Sequence, residues 1–464
     1  MPGPGAGDVR PDGGDVDTRL FAVAADTEDG LAELLRTHLD RVRARAGLPA
    51  LAWYCHDAVV RTAGAGHRLT FVVDSYADLA EQLAAALAGE TDRIPPDVTA
   101  RRPGLVFVFA GQGAQWYGMG RELLAAEPAF REALLRCDQE VRRFAEFSVV
   151  EQLGLDPPAS RMDEIDVLQP TMVSLQIALT ALWRSWGIVP DAVVGHSMGE
   201  IAAAHTAGAL GLRDAIMIAC RRSALLRRIS GRGALAATEL SPAQAHAVAD
   251  ASAGRISVAG ENSPRSTVLA GDAASLARLV DDLTRRDVYC RVITGTVASH
   301  SHYVDDLRAD LDLALRSLAP GPTRIVMYST VTGEPVPGTS LASQYWMRNL
   351  REPVRFAAAV ERLGDTGHEV FVEVSAHPVL LSPVRQTLAH AGRPAHLLSS
   401  GRRQAERRSV LASLGMLYGC GREPRWAAFA LSEPGATLTP YQAAVLGAVR
   451  LTRPASQLET SPAL

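Results

Sequence analysis

Aromatic residues make up only 5% of the 464 positions, and acidic and basic side chains nearly cancel, leaving a formal charge of −4. Nucleic-acid binding needs stacking surfaces and a basic excess, and the chain has neither. Cysteine is scarce too: Cys55, Cys137, Cys220, Cys290 and Cys420 are scattered, odd in number and never in C-x-x-C spacing. Such thiols form neither a disulfide framework nor a zinc site, and they point to a reduced, cytoplasmic setting. No apolar signal segment follows Met1, and no window reaches a membrane-spanning length of uninterrupted apolar residues. Neither a metal-ligand cluster nor an internal repeat is visible. What remains, 47% hydrophobic and 21% charged, is a globular balance with chain enough for more than one domain.

The pattern along the chain predicts an α/β protein. Residues 1–17 are rich in Gly, Pro and Asp and read as disordered. A small α/β module follows over 18–103. It has strands at 19–24 and 69–73 and helices over 27–46 and 76–88, the first carrying Leu31, Leu34, Leu35, Leu39 and Val42 as one stripe. Pro95-Pro96 and Arg101-Arg102-Pro103 mark its end. Residues 105–109 are an unbroken apolar run ahead of Gly111-Gln112-Gly113, and similar runs recur at 192–194, 325–328 and 370–374. Runs of this kind are strands buried on both faces of a parallel sheet. Between the second and third the order changes to β-α-β-β-α-β over about 232–297, a ferredoxin-like unit inserted in a larger domain spanning 104–400. Its first helix carries Ser241, Pro242 and Gln244 as N-cap, N1 and capping-box partner. Residues 401–464 are a basic helical segment followed by a patternless tail.

The chemistry centres on Gly195-His196-Ser197-Met198-Gly199-Glu200, a G-x-S-x-G between an apolar strand and a small-residue helix. That is a nucleophile elbow, a turn that exposes one hydroxyl at a helix N-terminus. Ser197 needs a base, and twelve histidines are available. His196 adjoins the serine but the turn aims it away, and His205 reads as packed. His300 falls where the chain leaves the insert, at the lip of a cleft, with His302 and His377 as rivals. The main-chain N–H of Met198 is one natural oxyanion donor, and the turn at Gln112 is either a second donor or a plain connection. Arg221 and Arg222 lie on an otherwise apolar helix, which can point at most one inward. An inward guanidinium would grip a carboxylate through two parallel hydrogen bonds.

Taken together, residues 107–115, the elbow, the arginine 25 positions past the serine and Ala298-Ser299-His300-Ser301 resemble the acyltransferase domains of modular polyketide synthases. They are similar, more distantly, to malonyl-CoA:acyl-carrier-protein transacylases. The resemblance implies a hydrolase-like large subdomain with a ferredoxin-like small one. Residues 18–103 would be the linker module that follows a ketosynthase, and residues past 401 the linker after the acyltransferase. It implies Ser197 as nucleophile and His300 as base, oriented by a main-chain or side-chain carbonyl, with Asn349 at the matching position. The N–H groups of Gln112 and Met198 would form the oxyanion hole, and Arg222 would bind the free carboxylate of a malonyl-type group. The implied reaction takes an acyl group from acyl-CoA to Ser197 and then to the phosphopantetheine thiol of an acyl carrier protein, with ping-pong kinetics. No tightly bound cofactor and no metal is expected. The implied partners are acyl-CoA, the carrier protein and, through the leading module, a ketosynthase; neither nucleic acid nor membrane is among them.

The acyl group is read from Val297-Ala298-Ser299-His300, where the family has Tyr-Ala-Ser-His with methylmalonyl and His-Ala-Phe-His with malonyl. Val297 in place of the aromatic residue would enlarge the pocket, and Asp166-Val167-Leu168-Gln169 resembles the methylmalonyl pattern. A methylmalonyl or larger unit is therefore expected. Ser301-His302-Tyr303 departs from the usual Pro or Ser after the histidine. With a Met start and no ketosynthase or carrier sequence, a free-standing enzyme and a unit of a larger synthase both stay open. A discrete transacylase for a non-malonyl starter or aryl group is the alternative; an α/β-hydrolase-type thioesterase and a non-catalytic docking scaffold are remote ones.

Overall fold

A computed structural model describes residues 18–61, 66–91, 100–293 and 297–426. The predicted disordered start, the Pro95-Pro96 boundary and the tail past 426 lie outside the described residues.

The leading module pairs β1 (Arg19–Ala25) with β2 (His67–Val73) in an antiparallel ribbon. Alternation sends Phe21, Val23, Phe71 and Val73 to one face, where helices Glu28–Ala44, Leu51–Val60 and Tyr76–Leu87 cover them. The leucine stripe at 31, 35 and 39 is buried there, while Leu34 is exposed. The helix Leu51–Val60 has no counterpart in the sequence reading. It lacks a side-chain cap, and its apolar positions give it no clear amphipathic period to follow. Leu20, Ala22 and Val72 on the opposite face join the main core instead.

That second face is covered by the helix Glu406–Gly419. A Cβ on Gly415 would lie 2.3 Å from Thr70 Oγ1, so only glycine allows the helix this close to β2. Arg68 donates to the Tyr418 carbonyl at 2.9 Å and stacks over its ring. Arg408 pairs with Asp74 at 2.5 Å, and Arg407 with Glu127 at 2.9 Å. Arg407 also donates to the Thr18 carbonyl. These two arginines of the basic segment are thus ion-paired within the fold.

The main sheet begins with β3 (Gly104–Phe109) and β4 (Ala192–Gly195). The chain then leaves for a second sheet of β5 (Ala234–Thr238), β6 (Ile256–Ser263), β7 (Ser266–Gly271) and β8 (Cys290–Ile293). It returns for β9 (Val326–Tyr328), β10 (Pro335–Val336), β11 (His368–Glu373) and β12 (His396–Ser399). The main sheet runs β10-β9-β4-β3-β11-β12, parallel except for the short edge strand β10. Leu105 to Phe109 are fully buried at its centre, as an unbroken apolar run requires. The second sheet is antiparallel in the order β6-β7-β5-β8, the split βαβ arrangement expected, and the capping box at Ser241 and Gln244 is formed. The fold is thus α/β, a large subdomain with a ferredoxin-like insert.

β6 is the longest strand of the insert sheet and has partners on two sides. It pairs with β7 beyond Val258, and Ala259 and Glu261 exchange main-chain hydrogen bonds with Val354 at 2.9 and 2.8 Å. The helix Ile165–Ser185 is long and apolar enough to cross a membrane by composition, yet 89% of its apolar window is buried against protein. Apolar character on all sides is what a core helix of a large subdomain needs.

Candidate active site

β4 stops at Gly195 and the helix Gly199–Ala207 starts four residues later. A Cβ on Gly195 would sit 2.3 Å from Glu200 N, and one on Gly199 would sit 2.2 Å from Phe109 O. Both glycines are therefore dictated by the tightness of the turn. Between them Ser197 adopts φ +53°, a left-handed conformation that costs a non-glycine residue about 1–3 kcal/mol. The surrounding backbone holds it there, with the hydroxyl at the strand end.

His300 Nε2 lies 2.8 Å from Ser197 Oγ. On the other side of the ring, Nδ1 is 2.8 Å from the main-chain carbonyl of Glu352. A carbonyl only accepts, so the proton sits on Nδ1 and the Nε2 lone pair faces the serine hydroxyl. Burial, with the Arg222 cation nearby, pushes the imidazole down to about 3. It is thus a neutral base across the physiological range. Of the two carbonyl types expected to orient it, the main chain supplies the contact. Asn349 does not: its amide donates to Glu200 Oε2 at 2.7 Å and to the Ser197 carbonyl at 3.1 Å. The expected Asn349 contact with the histidine is corrected accordingly. Glu352 ends the helix Ser343–Arg351, and its free carbonyl reaches the ring without any side-chain signature in the sequence.

The rival histidines are engaged elsewhere. His196 points away from Ser197, with Nε2 2.8 Å from Asn262 Oδ1 of β6 and its ring against Phe356. His205 Nδ1 meets the Leu210 carbonyl, His302 is exposed and stacked on Tyr303, and His377 Nδ1 accepts from the Arg403 N–H.

Arg222 is 1% exposed, whereas its neighbour Arg221 lies on the outer side of the same helix. Its guanidinium donates to Gln169 Oε1 at 2.6 Å and to Ser197 Oγ at 3.2 Å. Among the described residues no carboxylate pairs with it, and its Nε has no partner. Burial alone pushes it down to about 10, so it stays charged. A buried cation with unsatisfied donors beside a nucleophile calls for an anionic partner. Gln169 in turn donates to Gln112 Oε1 at 3.2 Å, which ties the arginine to the turn after β3.

Among the described residues, the main-chain N–H groups of Gln112 and Met198 donate to no protein acceptor. Gly111 brings that turn to the elbow: a Cβ there would lie 3.1 Å from His196 O. Val297 and Ala298 are buried and Ser299 is half-buried ahead of His300. No cluster of three or more His, Cys, Asp or Glu able to hold a metal occurs among the described residues.

Glu200 went unassigned in the sequence reading, yet it is buried directly behind the elbow. Its carboxylate accepts from Thr330 N at 2.5 Å, Thr330 Oγ1 at 3.1 Å, Tyr345 at 2.8 Å and Asn349 at 2.7 Å. Desolvation still pushes it up to about 7. A glutamate in the first turn of a helix reads as a surface charge, which hid this role.

Residues 106–418 match the family model described as the acyl transferase domain. Among curated relatives, the chain is 41% identical over 66% of its length to the erythronolide synthase EryA2 of Saccharopolyspora erythraea. It is 38% identical over 85% of its length to the polyketide synthase GfsB of Streptomyces halstedii. It spans only 9% and 7% of the length of those synthases. Among solved structures, the acyltransferase domain from module 8 of the salinomycin polyketide synthase superposes with a TM-score of 0.81 at 32% identity, covering 89% of this chain and 98% of that one. The acyltransferase domain of SpnD in complex with 2-(pent-4-yn-1-yl)malonyl superposes with a TM-score of 0.77 at 26% identity, covering 89% and 97%. With sequence relatives and solved domains agreeing over most of its length, the chain belongs to the acyltransferase domains of modular polyketide synthases.

Proposed function

We propose that the chain moves a substituted malonyl group, methylmalonyl or larger, from acyl-CoA through an acyl ester on Ser197 to the phosphopantetheine thiol of an acyl carrier protein. The observation that carries this reading is Arg222, a buried guanidinium without a carboxylate partner, 3.2 Å from the nucleophile. A malonyl carboxylate supplies the missing anion and places the thioester carbonyl over Ser197. Burial is the main cause of the weak base and the Arg222 charge the second; the carboxylate offsets that second cause, so the correct substrate strengthens His300 as it arrives.

His300 Nε2 accepts the Ser197 proton as Oγ attacks the thioester carbon. Negative charge builds on the carbonyl oxygen, toward the N–H groups of Gln112 and Met198. When the tetrahedral intermediate collapses, the C–S bond breaks and His300 returns its proton to the departing CoA sulfur. The carrier thiol then gives its proton to His300 and attacks the ester, and the serine leaves with that proton restored. The small Val297 side chain, where relatives with methylmalonyl carry tyrosine, supports an α-substituent of methyl size or above. A relative at 26% identity, SpnD, is described with a larger substituted malonyl group. In this reading the segment 18–103 serves as a linker toward a ketosynthase, and the segment after 401 as the linker that follows the acyltransferase.

The test is mass spectrometry of the protein after incubation with malonyl-, methylmalonyl-, ethylmalonyl- and propionyl-CoA. A substituted malonyl adduct on Ser197, absent in Ser197→Ala, is expected. Acylation by propionyl-CoA alone would replace this reading with that of a non-malonyl transacylase.

A further inference from the structure

The hydrogen bonds of Asn349 leave it a different task from orienting the base. A trans peptide is planar, so the Met198 N–H points opposite to the Ser197 carbonyl within one rigid unit. Whatever fixes that carbonyl aims that N–H. The Ser197 carbonyl accepts from the Glu200 N–H at 3.1 Å, a helix-start contact, and from Asn349 Nδ2 at 3.1 Å. Asn349 is the side chain that holds it. The amide orientation is unambiguous on chemical grounds, because a carbonyl cannot donate and the face toward it must be the NH₂.

Asn349 is itself held. Its second N–H goes to Glu200 Oε2, and that carboxylate is fixed by Thr330 and Tyr345. The Thr330 hydroxyl, whose one proton is shared between Glu200 Oε1 and the Gly195 carbonyl 3.0 Å away, sits on a residue whose N–H also binds that carboxylate, so both ends of the strained elbow are tied to it. Asn349 is 2% exposed and Glu200 fully buried, where such bonds are strong and their loss is costly. A donor on the carbonyl also polarises the peptide and strengthens its N–H as a donor. Asn349 and Glu352 are three residues apart at the end of one helix. The same helical turn therefore sets the elbow through a side chain and the base through a main-chain carbonyl.

We propose that Asn349 is a positioning residue for the oxyanion hole, aiming the Met198 N–H by holding the Ser197 carbonyl from behind. This rests on the acyl-serine reading above. The test is Asn349→Leu, which keeps the branched side-chain shape and removes both donors, with the smaller Asn349→Ala as the second variant should the bulkier leucine not fold. Single-turnover acylation by methylmalonyl-CoA, KM for that substrate and affinity for propylboronic acid, which forms a tetrahedral anion on Ser197, are measured on wild type and variant. Removing an oxyanion donor slows catalysis about 10²–10³-fold, so misaiming one is expected to slow acylation roughly ten- to hundredfold. The boronate should weaken by a similar factor while KM stays within about twofold. Acylation and boronate affinity both within twofold of wild type in a folded variant overturn the proposal, as does a rise in KM that accounts for the whole rate loss. If wild type itself forms no acyl-serine and binds no boronate, the acyl-transfer reading fails and this one with it.

Discussion

Replacing Arg222 with methionine separates binding from stability. Burial lowers the guanidinium to about 10, which corresponds to a desolvation cost of about 3 kcal/mol at about 1.4 kcal/mol per tenfold. Methionine removes that cost and fills most of the same space. It also forfeits the hydrogen bonds to Gln169 and Ser197, each worth about 1.5–3 kcal/mol to a charged donor. The two bonds together are worth about 3–6 kcal/mol against the roughly 3 kcal/mol of desolvation removed, so the fold is expected to lose about 1 kcal/mol and no more than about 3, measured by urea unfolding. Loading of malonyl-type groups should behave differently, because the substrate loses a bidentate charge-assisted pair. A loss of roughly 10²–10³-fold in acyl-Ser197 formation is expected, with propionyl-CoA loading retained. Removing one partner of a structural buried ion pair costs about 3–5 kcal/mol. A stability loss above about 4 kcal/mol, or undiminished methylmalonyl loading, would refute the carboxylate role.

The pH response follows from His300. Its folded value near 3 lies below its unfolded one, so its contribution to stability is present above about pH 6.5 and lost as pH falls toward 3. Urea midpoints should decline over that window, and His300→Gln should flatten the decline. Gly199→Ala places a Cβ 2.2 Å from Phe109 O and 2.8 Å from Ala110 O. Both contacts are main chain and cannot yield, so a loss above about 3 kcal/mol is expected, read as a large drop in Tm or insoluble protein. Arg407→Ala removes the pair with Glu127 and the bond to the Thr18 carbonyl. It is expected to raise hydrogen exchange in Arg19–Ala25 while leaving Ala192–Gly195 protected, at a cost of about 1–2 kcal/mol.

The elbow was legible because each part of it has a residue signature: an apolar strand, two glycines that the turn demands, and a small-residue helix. The ferredoxin-like insert was legible for the same reason, with its strand order and capping box carried by local pattern. What stayed hidden depends on contacts between distant segments. The carbonyl that orients His300 belongs to the main chain of Glu352, and any residue could have supplied it. Asn349 could be placed near the site from the resemblance, but which atom it touches is set by helix rotation, which periodicity does not fix. Glu200 looked like a helix-start surface charge, and its partners Thr330, Tyr345 and Asn349 all lie more than a hundred residues away. Arg407 and Arg408 had partners hundreds of positions away, at Glu127 and Asp74.

The approach of Gly415 to Thr70 has a practical consequence for recombining synthases. A graft that carries one flank without the other, joined at residue 104 alone or at residue 400 alone, would separate β1 and β2 from the helix that seals their second face. Leu20, Ala22 and Val72 would meet water, and the pair between Arg408 and Asp74 would be broken. A transplant reaching from Thr18 to Trp426 carries ribbon, catalytic core and sealing helix together. The natural unit of exchange is therefore wider than the catalytic unit, and its edges lie where the two flanks of the chain clasp each other.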